Sequence, residues 1–227
     1  MPGHQGGLIV SEPDALQRLL RRSAELHGAL SGHLADAVFD NSIHTDLTLS
    51  TAQVALEHGV SVAVLVETGH LSSANALLRT QLEASIRTAW LLYAASDDWI
   101  TRYVDKARQH PRKDPGCAPG IDKMIQDVER KAAEGCAPVG VAPQLKVFKE
   151  GAWGPLNSFV HSGIHPTALQ ATGYPLEGAM GTLMNANGLS VVSAMLIALL
   201  SGNIDIANGI KGVQVSFLDC CPPPVSG

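Results

Sequence analysis

Along most of the chain, apolar residues recur at intervals of three and four positions, the spacing of one face of an α-helix. After Ser11, a residue type that can cap a helix, the pattern runs through Leu16, Leu19, Leu20, Leu26, Leu30, Leu34 and Val38. Thr45 or Asp46 can begin the next helix, which is apolar on most sides and ends before Gly69. This part of the chain therefore predicts two consecutive helices.

The same periodicity, interrupted by Gly and Pro, predicts further helices in the rest of the sequence. We expect them at about 72–95, 97–109, 121–134, 144–153, 156–162, 183–200 and 204–218. Residues 110–120 and 135–143 are rich in turn formers, and 165–178 has no regular pattern. The stretch from about 110 to 143 is therefore interpreted as a helical and loop insertion on the outside of a helical bundle.

Composition agrees with a helical protein. Hydrophobic residues make up 45% of the 227 positions and aromatic residues only 4%, so the core must consist of Leu, Ala, Val and Ile. Ala and Leu are leading helix formers, whereas strands favour β-branched and aromatic residues. We predict an all-α fold with one helical-bundle domain over residues 11–219, and flexible tails at 1–10 and 220–227.

Several features favour a reduced, cytoplasmic protein. The most apolar run, 189–200, is about a dozen residues long, whereas a membrane span needs about twenty; it is interpreted as a core helix, with no membrane as partner. The N-terminus lacks the basic and apolar regions of a signal peptide. Cys117 and Cys136 flank the helix predicted at 121–134, which would hold them about 20 Å apart, beyond disulfide reach.

Charge and spacing exclude several classes of site. The formal net charge is −5 and no Lys/Arg run occurs, so binding to long duplex DNA is not expected, although a small local basic site is compatible with the sequence. No cysteine pair has zinc spacing, and the Glu-x-x-His motif of di-iron bundles occurs once, at Glu67–His70, instead of twice. We predict neither a metal nor a cofactor.

The helix predicted at 72–95 carries the first candidate for chemistry. Arg79, Glu83 and Arg87 fall within an arc of roughly 80° on a helix that is otherwise apolar or small-sided. They can form an ordinary network of i,i+4 ion pairs. Alternatively, Glu83 positions the two arginines as ligand-binding residues for an anion, because a guanidinium is a planar fork that suits phosphate or carboxylate.

The second candidate is the segment 156–163. On a helix, Asn157 and His161 are four residues apart and share a face, while Ser158 and His161 are three apart. A histidine placed in this way can act as a general acid or base, because its pKa lies near neutrality. The alternative is that these polar side chains satisfy backbone groups at a helix end.

Two motifs carry a resemblance to known families. The run from Ser73 to Leu91, with its Arg…Glu…Arg…Trp-Leu pattern, resembles bacterial all-helical families of unknown function that pair such a helix with a later Asn-Ser…His segment. The segment Asn157 to His161 is distantly similar to the HEPN superfamily, helical bundles that are often metal-independent ribonucleases or nucleotide binders. This resemblance implies catalytic roles for Asn157 and His161, with Leu156 standing where the motif has its arginine.

A composite site follows as a hypothesis. Arg79 or Arg87 would supply the missing guanidinium from the neighbouring helix, and Glu83 and Ser158 would help to bind nucleotide or RNA phosphate. His161 would be the acid/base of cleavage without a metal.

Three functions stay open. The first is an HEPN-like enzyme or nucleotide binder. The second is a non-catalytic interaction or scaffold protein, in which the same residues form a structural polar clasp. The third is a sensor of a small anion. A homodimer is expected for all three, because helical bundles with apolar outer faces often pair.

Overall fold

The computed structural model describes residues 12–113, 115–116 and 118–223. Within this part of the chain there are nine α-helices and no strand, so the predicted all-α bundle is confirmed. The helices are α1 Glu12–Leu34, α2 Ile43–Glu67, α3 Leu71–Tyr93, α4 Asp97–Gln109, α5 Ile121–Ala133, α6 Val141–Val160, α7 Ile164–Thr172, α8 Leu176–Leu200 and α9 Ile204–Ser216, followed by a 3-10 turn at Leu218–Cys220.

Side-chain caps explain where two helices begin. Ser42 caps α2, since its Oγ accepts a hydrogen bond from the backbone N–H of Thr45 at 3.1 Å, and Ser96 caps α4 in the same way. Helix α2 therefore begins at Ile43, ahead of the predicted start at Thr45 or Asp46, whereas α4 begins at residue 97 as predicted. Ser11, the predicted first cap, lies outside the described residues, and Val38 lies beyond the end of α1 and is 80% exposed.

Two sequence predictions in the C-terminal half were wrong. The helices expected at 144–153 and 156–162 are one helix, α6, which continues through Pro155. A proline removes one backbone hydrogen bond, but Ala142, Leu145 and Leu156 are buried along the whole of α6 and hold it together. The stretch expected to be irregular forms α7, which has no buried residue and so no apolar periodicity to detect.

Helices α3 and α8 form the centre of the bundle. Helix α3 packs against α2, α5, α6 and α8, and α8 packs against α1, α2, α3 and α9. Helix α8 is buried on nearly all sides, as expected for a core helix. Helices α2 and α8 are long and apolar enough to cross a membrane, a property that core helices of folded domains share. The most apolar part of α8 is 72% buried, against 28% for that of α2.

The segment 110–143 contains the predicted helix but also contributes to the core. Met124, Ile125 and Val128 of α5 are buried, and the helix packs against α3 and α6. The indole N–H of Trp90 donates to Oδ2 of Asp127 at 3.4 Å. The segment is therefore an outer layer of the bundle and is packed on its inner face.

The cysteines differ in burial. Cys136 is exposed, whereas Cys220 and Cys221 are buried, and all three are free thiols. The packed part of the chain thus includes at least the first two residues of the predicted C-terminal tail. Cys117 and the tail residues 1–10 and 224–227 lie outside the described residues, and the division into domain and tails stays a prediction.

A buried polar network joins the two central helices. The Gln81 amide donates to Ser190 Oγ at 3.1 Å and to the Ala186 carbonyl at 3.0 Å, and the Ser85 and Ser193 hydroxyls lie 2.9 Å apart. Burial lowers the pKa of the neighbouring His27, which keeps this imidazole neutral at neutral pH. Because these groups are shielded from water, their hydrogen bonds fix the register of α3 against α8.

Gly59 of α2 makes room for this network. A Cβ atom at residue 59 would lie 2.2 Å from Ser190 Oγ and 2.8 Å from Gln81 Nε2. Both atoms belong to helices held in place by the bundle, so neither can retreat without breaking a buried hydrogen bond.

We expect Gly59→Ala to lower the free energy of unfolding by about 1–3 kcal/mol, despite the better helix propensity of alanine, because the added methyl group overpacks the network. The matched control is Gly28→Ala on α1, where a Cβ would meet nothing within 4 Å; we expect it to be neutral or to stabilise by up to about 1 kcal/mol. Urea denaturation measures both. Equal effects of the two substitutions would contradict this account.

Candidate functional site

Arg79 is the most buried residue of the polar strip predicted on α3, which consists of Arg79, Glu83 and Arg87. Its side chain is 8% exposed, and Nη1 lies 2.7 Å from Oε1 of Glu83, one turn further along the same helix. The guanidinium carbon lies 3.1 Å from the ring centroid of Trp153 on α6. The cation is therefore held between a carboxylate on its own helix and an aromatic face on the neighbouring one, an arrangement that we call the Arg79 clasp.

The Arg79 clasp leaves little of the guanidinium for a ligand. Nε and Nη1 are buried and have no aligned hydrogen-bond partner in the described part of the chain, so the 2.7 Å approach to Glu83 is a charge contact more than a directed hydrogen bond. Cation–π contacts are worth most when the cation is desolvated. The clasp thus compensates for burying a charge by an ion pair and an aromatic face together.

Arg87 does not join the clasp. It is half-buried on α3 and makes no ion pair or hydrogen bond with any described residue, so the second i,i+4 pair that the sequence offered Glu83 is not formed. Glu83 is the half-exposed end of the clasp, with 37% of its side chain accessible. Of the three residues of the predicted strip, the structure brings two together.

Asn157 and His161 lie at the C-terminal end of α6 and are exposed. Their side chains form no ion pair or hydrogen bond to the described residues, and the backbone N–H of His161 donates to the Asn157 carbonyl at 3.3 Å. Leu156, at the position of the missing motif arginine, is 4% exposed and packs in the core. A side chain at that position therefore points into the bundle.

Ser158 has a structural role at the joint between α6 and α7. Its hydroxyl oxygen accepts a hydrogen bond from the backbone N–H of His165 at 3.1 Å, which satisfies a free donor in the first turn of α7. Its Oγ would lie only 2.6 Å from a Cβ at residue 163, which explains the glycine there. Ser158 and Gly163 therefore belong to a helix junction. For Ser158 this agrees with the alternative that the polar side chains of this segment satisfy backbone groups at a helix end.

The direction of α6 keeps His161 away from the arginines. Ser72 at the start of α3 and Ser162 after α6 line the same shallow groove, so the two helices run antiparallel and Arg79 meets the middle of α6. His161 follows Trp153 by eight residues, about 12 Å along the helix axis. His161 therefore makes no direct contact with Arg79 or Arg87, and the composite site is not formed. The residues belong to the same interface between α3 and α6 but lie at different positions along the helix axes.

Sequence reasoning missed Trp153, the partner that decides what Arg79 does. Trp153 stands between glycines at 151 and 154, at the end of the helix predicted at 144–153. No local pattern marks such a partner, since the contact joins residues 74 positions apart in the sequence.

Comparisons with known proteins give a family but no activity. A model for a family of unknown function, DUF6988, matches residues 52–223, about three quarters of the chain. The match includes α3 to α9 and therefore both halves of the Arg79 clasp. No curated protein and no solved structure matches the chain.

We expect Arg79→Gln to lower the free energy of unfolding by about 2 kcal/mol, between the values typical of exposed and of fully buried ion pairs, because the clasp is buried at Arg79 and half-exposed at Glu83. The matched control is Arg102→Gln, which breaks an i,i+4 pair whose side chains are 65% and 77% exposed; its effect should stay within about 0.5 kcal/mol. Chemical denaturation checks both. Similar small losses for the two variants would mean that Arg79 does not hold α6 on α3.

Proposed function

This chain belongs to the family of unknown function DUF6988, and we propose that it is a non-catalytic interaction protein. The observation that carries the proposal is that the Arg79 guanidinium is already engaged by protein groups, because it is buried between Glu83 and Trp153. An arginine that stabilises phosphate must present its donors to the ligand. Here Nε and Nη1 are buried and face protein.

The remaining residues of the HEPN-like hypothesis also support a non-catalytic role. Metal-independent cleavage needs an acid/base histidine and a guanidinium within reach of one phosphate. His161 is exposed and lies about 12 Å along α6 from the ring on which Arg79 rests. Ribonuclease activity is therefore a weaker hypothesis than a non-catalytic role.

We propose a second copy of this chain as the partner, with α2 as the contact surface. Val54, Val60 and Val64 are 44%, 47% and 53% exposed, although the helix is apolar and its other face packs on α3 and α8. Exposed apolar residues grouped on one helix are typical of interfaces. The acidic side chain of Glu57 on the same helix makes an anionic membrane the less suitable occupant.

The hydrogen-bonding groups of α2 suit a two-fold arrangement. In an isologous dimer the same patch meets itself about the symmetry axis. If α2 pairs antiparallel near Glu57 and His58, the carboxylate of each copy can accept a hydrogen bond from the imidazole of the other, which burial keeps neutral by lowering its pKa. The valines on either side of this point then cover one another. A cytoplasmic location suits such a protein and stays a prediction.

Incubation with single-stranded RNA in the presence of EDTA tests the choice between a metal-independent ribonuclease and a non-catalytic protein. We expect no cleavage by the parent protein or by His161→Ala, because no arginine of the described ranges forms an ion pair or hydrogen bond with His161. A folded His161→Ala variant that loses a metal-independent cleavage present in the parent, with cyclic phosphate ends on the products, would restore the HEPN-like hypothesis. A known metal-independent ribonuclease is the assay control.

Sedimentation velocity tests the partner. We expect the parent protein to be a dimer and the double variant Val60→Glu/Val64→Glu to be a monomer, because two carboxylates would be buried in the interface. The matched control is Val215→Glu on α9, which is 64% exposed in the parent and should leave the dimer intact. A monomeric parent over the whole concentration range, or one that binds anionic vesicles through α2, would overturn the proposal.

A further inference from the structure

A cavity of about 330 Å³ lies on the side of α6 that faces away from α3. Its walls come from α6, α8, α9 and the segment that follows α9. The size is near the lower end of the range of small-molecule sites, about 300–1,000 Å³. The lining of the cavity includes no residue of the Arg79 clasp and none of α2, so the proposed dimer contact does not account for the cavity.

The lining of the cavity is apolar with three exceptions. Val147 and Phe148 of α6, Val191 of α8 and Leu218 give it hydrophobic walls. The polar residues at the cavity are three carboxamides on three different helices: Gln144, Asn185 and Gln214. Their side chains form no hydrogen bond with any residue in the described ranges. Among the residues that the structure describes, no charged side chain lines the cavity.

The wall formed by the C-terminal segment is fixed in place. Arg22 of α1 donates to both carboxylate oxygens of Asp219, at 2.8 and 3.0 Å, and to the Ser216 carbonyl at 2.8 Å. The buried Asn187 amide donates to the Cys220 carbonyl at 2.8 Å. The cavity therefore exists before any ligand arrives, which reduces the ordering that binding requires.

A glycine closes the floor. A Cβ at residue 188 of α8 would lie 2.8 Å from Phe148 Cζ and 2.8 Å from Pro222 Cδ. Without that atom, the Phe148 ring and the Pro222 ring both approach the backbone of α8. The result is a shaped apolar floor below the three carboxamides.

From this arrangement we infer that the cavity binds a small, uncharged molecule with an apolar ring or body and amide-like hydrogen-bonding groups. A carboxamide offers two donors and one acceptor oxygen, so three of them match a neutral ligand that carries both kinds of group. An ionic ligand would be desolvated without any counter-charge. The apolar walls and the volume suit one ring and its substituents.

Benzamide, a neutral ring with one carboxamide, is the probe, and benzoate is its charged counterpart of the same shape. In titrations of the full chain followed by backbone amide NMR, we expect saturable shifts of cavity residues with a benzamide Kd on the order of 1 mM. Benzoate should bind at least about tenfold more weakly, since its carboxylate would lose water in the cavity without gaining a positively charged partner. Equal binding of the two, or no saturable shift with benzamide, would overturn the inference.

Variants locate the site. Val147→Trp fills the cavity from its rim and should abolish benzamide binding, whereas Val139→Trp, at an exposed residue outside the cavity, should bind as the parent does. Asn185→Leu, similar in size but without the amide, should weaken benzamide about fivefold to tenfold. Unchanged benzamide affinity in Val147→Trp, with its amide spectrum otherwise preserved, would show that the probe binds elsewhere and would overturn the inference.

Discussion

Helix α3 has neighbours on most of its sides, and the rest of the structure depends on how its polar side chains are satisfied there. Gln81 and Ser85 face α8 and bond to hydroxyls and a backbone carbonyl across the interface. Arg79 faces α6 and finds a carboxylate on its own helix and an indole on the other. Each of these groups would be expensive to bury without a partner. The position of α3 therefore dictates the register of α8 on one side and of α6 on the other.

Most of the helices could be predicted from the sequence because their apolar periodicity reports which face is buried. The prediction was wrong for α6 and α7, where the apolar pattern of the sequence does not report the packing of the helix. α7 packs too little to have a pattern, and α6 continues through a proline because its packing outweighs one lost hydrogen bond. Ser42 was missed for a smaller reason, since Thr45 and Asp46 are also good cap residues and only the backbone geometry decides which residue caps α2.

The candidate site was predictable only in its local part. The spacing of Arg79 and Glu83 predicts their ion pair, because residues four apart on a helix are neighbours. Nothing local says that Trp153 covers the guanidinium, or that His161 lies two turns further along the opposing helix. The spacing of residues within a helix predicts which of them share a face. The position along the axes at which two helices pack depends on tertiary structure and cannot be read from that spacing. The cavity was missed for the same reason, since its carboxamides come from three helices and form no motif.

The attachment of α1 has a consequence for how the protein is made. Helix α1 packs mainly on α8 and α9 and has little contact with α2, the helix that follows it. Its Arg22 binds Asp219, 197 residues away in the sequence. During synthesis, α2 and α3 can pair as soon as both have left the ribosome, but α1 must wait with an unburied apolar face until the last quarter of the chain emerges. Helix α1 precedes the other described helices in the chain and is thus among the last of them to dock, and during this interval its apolar face is exposed to aggregation.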